Sequence, residues 1–427
     1  MIKRLFFLSI FLLSMIGNVF AGDFVTVKGT QFIRDGKPYY FVGTNFWYGP
    51  ILGSEGQGGN RARLIQELDS LKSYGVNNLR ILVGGETGSD SANYVKPCLQ
   101  TEPGVLNDTL LAGLDFLLSE MGKRDMVGVL YLTNSWDWSG GFGFYLRETG
   151  HGHSPNASGE GYNNYVKYAS QFVREPKALE MFYNHVRKIV SRTNRYTGKA
   201  YKDDPAIMSW QICNEPRAFS KQNKELFYNW ISKTSELIKS IDPNHLVSTG
   251  SEGLYGCEVD ENLCVRVHNN KNVDYLTAHV WPVNWGWASR DRLYDALPNV
   301  YLKAGQYIDL HIRMTEKINK PLVIEEFGYS RDRTMYEPNT STMARDAFYN
   351  YVFERVIESK AANGPIAGCN FWGWGGAGRP SAKVWAAGHD FLCDPPHEPQ
   401  GWYSVFNSDT STIHLIKEAA ATLVMMK

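Results

Sequence analysis

The sequence predicts an α/β fold, a (β/α)8 TIM barrel with long loops after its strands and a β-hairpin at its N-terminus. Three observations carry this reading. Short apolar runs alternate with longer helix-like stretches along the chain, the pattern of a parallel sheet with helical crossovers. Eight such runs fall in roughly 380 residues, the proportions of a closed barrel with generous loops. Long segments follow several runs, at 84–105, 133–162 and 373–407, and in a barrel these open on the C-terminal face, where active sites form. The rival doubly wound sheet lacks support, because no glycine-rich phosphate fingerprint follows the first strand.

Each element has a local reason. Residues 25–33 partly alternate, Asp35-Gly36 is a turn signal, and 39–44 returns as a strand that also counts as the first of the barrel. The other strand-like runs are 79–83, 126–132, 206–212, 245–249, 275–280, 321–325 and 366–371. Helix-like stretches lie at 61–74, 106–123, 179–192, 225–241, 300–318 and 343–360, and a last helix at 409–426 closes the chain. No Pro- or Ser-rich linker interrupts this order, so residues 22–427 are expected to be one catalytic domain. Residues 1–21 read as a cleavable signal peptide: Lys3 and Arg4 precede an apolar run, and Val19-Phe20-Ala21 ends it like a cleavage site. A secreted or periplasmic protein is expected, with no membrane span in the mature chain.

The 44 basic and 44 acidic side chains cancel and form no basic block, which argues against nucleic acid as a partner. The 12 Trp, 24 Tyr and 21 Phe are the unusual feature. Most belong in a core, but Trp136, Trp138, Trp285, Trp287 and Trp374 sit beside Gly, Asn or Asp in loop-like segments. An exposed indole offers a flat apolar face with a polar edge, a surface on which sugar rings stack. Among six cysteines, Cys257 and Cys264 bracket a short polar loop and could pair, and Cys98 and Cys393 are a weaker candidate pair. Cys213 and Cys369 lie in apolar runs and read as buried thiols. There is no CxxC or HExxH, and His151 and His153 lie in a glycine-rich loop, so no metal and no cofactor is expected.

The chemistry sits at two strand ends. The fourth strand runs into Cys213-Asn-Glu-Pro-Arg217, and the seventh, Pro321-Leu-Val-Ile-Glu-Glu-Phe-Gly328, ends on two adjacent glutamates. Charges leave water only when paired or used. Strands four and seven face each other across an eight-stranded lumen, so a carboxylate from each would flank the mouth. Two carboxylates across a cleft are the machinery of glycosidic bond cleavage.

From about Asp23 to the C-terminus, these motifs resemble the retaining glycoside hydrolases of the four/seven barrel clan, and more narrowly glycoside hydrolase family 5. Leu132-Thr-Asn-Ser-Trp-Asp-Trp-Ser-Gly-Gly141 and Phe371-Trp-Gly-Trp-Gly-Gly-Ala-Gly-Arg379 are most similar to endo-β-1,4-mannanases. The resemblance implies that Glu215 is the acid/base, that Asn214 bonds the sugar's 2-hydroxyl, and that Glu326 is the nucleophile. It places Arg80 beside the nucleophile, His279 in the site and Trp372 as the floor of the subsite where the bond breaks. Trp47 and Trp136 are further candidates for substrate binding. Where the family commonly has His-x-Tyr on the sixth strand, this chain has His279-Val-Trp281. An indole N–H donates a hydrogen bond but accepts none, so Trp281 could hold Glu326 as a carboxylate. Neighbouring strand residues point to opposite faces, so Glu325 is expected to turn toward the wall or helices in a structural role. The implied activity is retaining, internal hydrolysis of mannan, glucomannan or galactomannan by a monomer. A β-1,4-endoglucanase of the same family is the alternative, and a non-catalytic carbohydrate-binding barrel a more distant one.

Overall fold

The computed structural model describes residues 23–88 and 94–426; the segment read as a signal peptide lies outside them. Eight parallel strands form the centre: β1 Phe41–Asn45, β2 Asn78–Leu82, β3 Val127–Tyr131, β4 Ile207–Gln211, β5 Leu246–Ser248, β6 Leu276–Val280, β7 Leu322–Phe327 and β8 Ile366–Phe371. In the sheet β5 neighbours β4, and the series continues through β3, β2, β1, β8 and β7 to β6, one circuit of a barrel. At the seam between β5 and β6 the ladder thins to Asp274 N donating to Val247 O at 2.8 Å and His279 N to Glu252 O at 3.2 Å. Every residue of the eight strands is buried. Strands covered on both faces need continuous apolar runs, and the observed strands fall within two residues of those runs at each end.

A helix follows each strand: α1 Arg61–Ser73, α2 Asp108–Lys123, α3 Pro176–Val190, α4 Lys224–Ile241, α5 Glu261–His268, α6 Leu297–Ile318, α7 Met343–Ala361 and α8 Thr410–Met425. Local chemistry sets their starts. Asn107 Oδ1 accepts from Thr109 N at 3.0 Å to cap α2, and Glu175 caps α3 ahead of Pro176 at its first turn. Helix α5 was not among the helix-like stretches. At eight residues it is too short to show a period, and its one signal is the Asp260 cap.

The N-terminus forms the expected hairpin around Asp35-Gly36, but with a third strand and a return strand that ends before the barrel. Thr26–Lys28, Gln31–Arg34 and Lys37–Tyr39 form a separate antiparallel sheet, and the barrel begins only at Phe41. Val25 and Phe32, with Tyr39, pack on Phe41, Val127, Val129, Met208, Leu246, Tyr275, Val323 and Ala367. These come from the N-terminal halves of barrel strands and point into the lumen. The small sheet therefore stoppers one end of the barrel with an apolar plug, separate from the larger apolar shell between strands and helices.

Above the plug the lumen turns polar. Asn370 Nδ2 donates to Asn78 Oδ1 at 3.0 Å, and the backbone of Gly43 passes so close that a Cβ there would lie 2.3 Å from Asn370 Nδ2. The cysteine pairing expected from spacing is not formed: all six are free and buried. Cys98 donates to Val95 O and Cys393 lies against Asn45 O, while Cys257 and Cys264 are thiols within a 3-10 turn and α5.

Candidate active site

The polar half of the lumen leads to a cleft of about 380 Å³ at the C-terminal ends of the strands. Glu215 enters from just beyond β4. Its backbone holds a left-handed φ of +49°, a conformation that costs a non-glycine residue on the order of 1 kcal/mol or more. Neighbours enforce it: Glu215 N donates to Gly250 O at 2.9 Å, and Ser135 Oγ donates to Glu215 O. Gly250 has φ +78°, and a Cβ there would meet Cys213 O at 1.9 Å.

Glu326 enters from β7 because of a β-bulge. Ile324 pairs with Ala278 but Glu326 with His279, and toward β8 Ile324 pairs with Cys369 but Phe327 with Phe371. Strand β7 thus carries one residue more than either neighbour between these pairs. Alternation puts Val323 and Glu325 in the lumen and Ile324 outside; the extra residue lets Glu326 face inward as well. This corrects the expectation for Glu325. It does not turn to the wall. It lies in the lumen below Glu326, accepting from Gln211 Nε2 at 2.7 Å and facing His279 Nε2 at 3.2 Å and Arg80 Nε at 3.8 Å.

Four donors surround the two carboxylates. Arg80 Nη1 donates to Glu326 Oε1, and Trp281 Nε1 donates to Glu326 Oε2 at 3.1 Å. His279 Nδ1 lies 2.7 Å from Glu215 Oε1 and 3.2 Å from Glu326 Oε2. Trp136 Nε1 donates to Glu215 Oε2 at 2.5 Å. Arg80 is held by Gln211 Oε1 at 2.7 Å, Asn45 Oδ1 at 3.1 Å and Asn214 Oδ1 at 2.8 Å, and lies over the Tyr131 ring. Asn214 Nδ2 donates in turn to Asn134 Oδ1 at 3.1 Å. Burial works against charge on His279, but Glu326, Glu215 and Glu325 outweigh it and hold the imidazole pKa well above its ordinary value. The same contest resolves the same way for Arg80, whose charge Glu325 and Glu326 sustain.

Ligand atoms of Glu215, His279 and Glu326 all lie within 4.8 Å of one another. Those residue types could hold a cation, yet the Arg80 guanidinium beside them and the proton that the carboxylates hold on His279 itself oppose one. For two carboxylates, that spacing fits the roughly 5–5.5 Å of double displacement better than the 6.5–9.5 Å that leaves room for an attacking water.

Trp372 and Trp281 line the cleft edge-to-face, 5.8 Å apart, and Trp136 lines it near Glu215. Trp47 does not. It is 2% exposed, donates Nε1 to Cys393 O at 2.8 Å and packs edge-on against Trp138; it is core, and its position after a strand end gave no sign of the layer above it. Sequence reasoning also missed lining residues on other loops. Arg217 forms a two-pronged pair with Glu252 and lies over Trp136. Its place directly after Asn-Glu-Pro was the available signal. Tyr162, at the start of the short helix Tyr162–Ala169, and His397 and Glu398, from a segment without periodicity, also line the cleft, as does Trp285, one of the loop tryptophans singled out from the sequence.

Comparison with known proteins agrees with this geometry. A family profile described as glycoside hydrolase family 5 β-mannosidase-like matches residues 22–427. Mannan endo-1,4-β-mannosidase 1 of rice is 30% identical over 82% of this chain and 78% of its own length. A second rice protein, putative mannan endo-1,4-β-mannosidase 9, is 30% identical over 88% of this chain and 87% of its own. Among solved structures, the family 5 mannosidase from Rhizomucor miehei superposes with a TM-score of 0.86 at 36% identity, covering 94% of this chain and 97% of that one. A variant of it was solved with mannosyl-fructose. The chain described here belongs to glycoside hydrolase family 5, in its β-mannosidase-like group.

Proposed function

We propose that the protein is a retaining endo-β-1,4-mannanase acting on mannan, glucomannan or galactomannan, with Glu215 as acid/base and Glu326 as nucleophile. The observation that carries this is the close approach of Glu215 and Glu326, set on opposite strands at the barrel mouth. In the first step Glu215 gives its proton to the leaving glycosidic oxygen while Glu326 attacks the anomeric carbon. In the second, Glu215 takes a proton from water, which displaces Glu326 and restores the starting configuration. Arg80 and Trp281 keep Glu326 an anion aimed at the sugar, since both donate to it. Asn214, fixed by Arg80 and Asn134, faces the sugar's 2-hydroxyl. Trp372 supplies the floor, and Trp136 and Arg217 the surface for the departing chain.

The names of the rice relatives and the mannosyl-fructose bound to the Rhizomucor miehei relative support mannose as the sugar read. Among the described residues no helix is long and apolar enough to cross a membrane. The basic-then-apolar N-terminus supports export after removal of residues 1–21, and we read the remainder as one catalytic domain acting as a monomer. The test is reducing-sugar release from galactomannan, glucomannan and cellulose by wild type, Glu326→Gln and Glu325→Gln. Mannans are expected to be cut, and Glu326→Gln to lose at least about a thousandfold, since it lacks the nucleophile. Activity kept in Glu326→Gln but lost in Glu325→Gln would transfer the role to the neighbour; preference for cellulose would replace the substrate.

A further inference from the structure

Glu325 takes no part in the two steps described above. It lies in the lumen below Glu326, 1% exposed, beneath the lining of the cleft rather than in it, so it does not touch a sugar. Its partners are nevertheless the side chains that serve the reacting pair. Oε1 faces His279 Nε2 at 3.2 Å, and Oε2 accepts from Gln211 Nε2 at 2.7 Å and lies 3.8 Å from Arg80 Nε. Gln211 is fixed in turn, donating to Ser248 Oγ at 2.9 Å and accepting from Arg80 Nε at 2.7 Å. Asn45 Nδ2 holds the backbone, donating to Glu325 O at 2.9 Å.

This arrangement puts a carboxylate at each end of the His279 ring. Nε2 faces Glu325, while Nδ1 faces Glu215 at 2.7 Å and Glu326 at 3.2 Å. Acceptors opposite both ring nitrogens suit the imidazolium, because the neutral ring has one N–H and would turn a lone pair toward the other carboxylate. Burial opposes charge on the ring, and Glu326, Glu215 and Glu325 outweigh it. Other charged or titratable groups bear on the pair from neighbouring elements: Arg80 from β2, with Tyr131 of β3 under it, Tyr275 just before β6, and Glu252 past β5, which is paired with Arg217.

With Glu325, the charges balance in both halves of the reaction. Before attack Glu215 holds its proton, and Glu325 and Glu326 are the anions facing Arg80 and His279. In the glycosyl-enzyme Glu326 is an uncharged ester, Glu215 is an anion, and Glu325 again completes the balance. Without Glu325 each stage would leave both buried cations facing a single anion, and a buried charge without its counterion is costly. His279 Nδ1 lies within reach of both reacting carboxylates. Its N–H can therefore serve Glu326 in the first step and Glu215 in the second while Nε2–H stays on Glu325.

We propose that Glu325 is a positioning residue for the hydrolysis: from beneath the cleft it anchors the His279 imidazolium, so that Nδ1–H serves whichever of Glu326 and Glu215 is the anion. This rests on the double-displacement reading above. The first measurement needs no turnover. Nitrogen NMR of the full protein carrying nitrogen-labelled histidine reads the His279 ring, its signals identified by their loss in His279→Gln. Near neutral pH the ring is expected to carry both N–H protons in wild type and one in Glu325→Gln. The second is kinetics on mannopentaose across pH. Glu325→Gln is expected to lose about ten- to a hundredfold in kcat, the range for a hydrogen bond to a charged group. Its KM should stay within about twofold, since the lost interaction does not involve the bound sugar. Its alkaline limb should lie about one pH unit or more lower, because a ring that has lost an anion sheds its proton sooner as pH rises. Glu325→Asp, which keeps the charge, is expected to restore the limb. A single N–H on the wild-type ring overturns the proposal, and this result decides alone if Glu325→Gln melts early. A folded Glu325→Gln with both N–H protons and the wild-type alkaline limb also overturns it. Either outcome leaves mannan hydrolysis intact. Failure of wild type to cut any β-mannoside overturns both readings, and the ring measurement still tells whether Glu325 anchors the imidazolium.

Discussion

Glu326 takes its setting from residues far away in sequence: an arginine on β2, a tryptophan just past β6 and a bulge in its own strand. The indole at 281 replaces a tyrosine hydroxyl common in this family, and the donor it offers is what the site uses. Trp281→Phe should therefore lower kcat on mannan about ten- to a hundredfold, the range for a hydrogen bond to a charged group. Trp281→Tyr, which restores an O–H donor, should recover most of it. Steady-state kinetics on one mannan decide this, and equal losses in both variants would assign Trp281 to packing alone. At this scale the sequence was legible where a motif fixes a residue to a strand end, as for Glu215 and Glu326. It was not legible where burial depends on layers above, which is why Trp47 reads like Trp136 yet lies in the core. Nor could alternation alone place Glu325, because a bulge is one extra residue with no side-chain signature.

Elements hold the site through their loops. Glu86, after β2, accepts from Thr133 Oγ1 at 2.8 Å, Tyr145 OH at 2.9 Å and Gly141 N at 3.1 Å, tying down the β3 loop that carries Asn134 and Trp136. Burial raises its carboxyl from 4.5 to about 7 against these three hydrogen bonds. A raised acid binds its proton more tightly folded than unfolded, so stability falls as pH climbs from about 4.5 to about 7, by roughly 3 kcal/mol in all. Urea unfolding of wild type and Glu86→Gln across that window should show the wild type losing ground to the variant as pH rises, and a constant difference would contradict the assignment. The eight strands were readable because burial on both faces forces continuous apolar runs. Helix α5 and the 394–400 loop segment were not, one being too short for a period and the other having none.

The whole molecule is a barrel graded along its axis, from the apolar plug under the N-terminal sheet, through asparagines and an arginine, to carboxylates at the mouth. The plug and the mouth make separable contributions. Phe32 is fully buried at the stoppered end, against Phe41 and Tyr275. Phe32→Ala should cost about 3–5 kcal/mol of stability while the folded fraction keeps its kcat, measured by denaturant melts beside kinetics at low temperature. A matching fall in kcat would mean that the plug sets the geometry of the mouth. The division of the N-terminal segment into a separate sheet could not be read from the sequence, since a strand that returns to its partner and one that enters the barrel have the same composition.

The retaining assignment is tested most directly by trapping the glycosyl-enzyme with a 2-deoxy-2-fluoro-β-mannosyl fluoride and locating the label by peptide mass spectrometry. One sugar per chain on Glu326 is the result this account predicts. A label on Glu325, or no adduct together with a first product of inverted anomeric configuration, would contradict it.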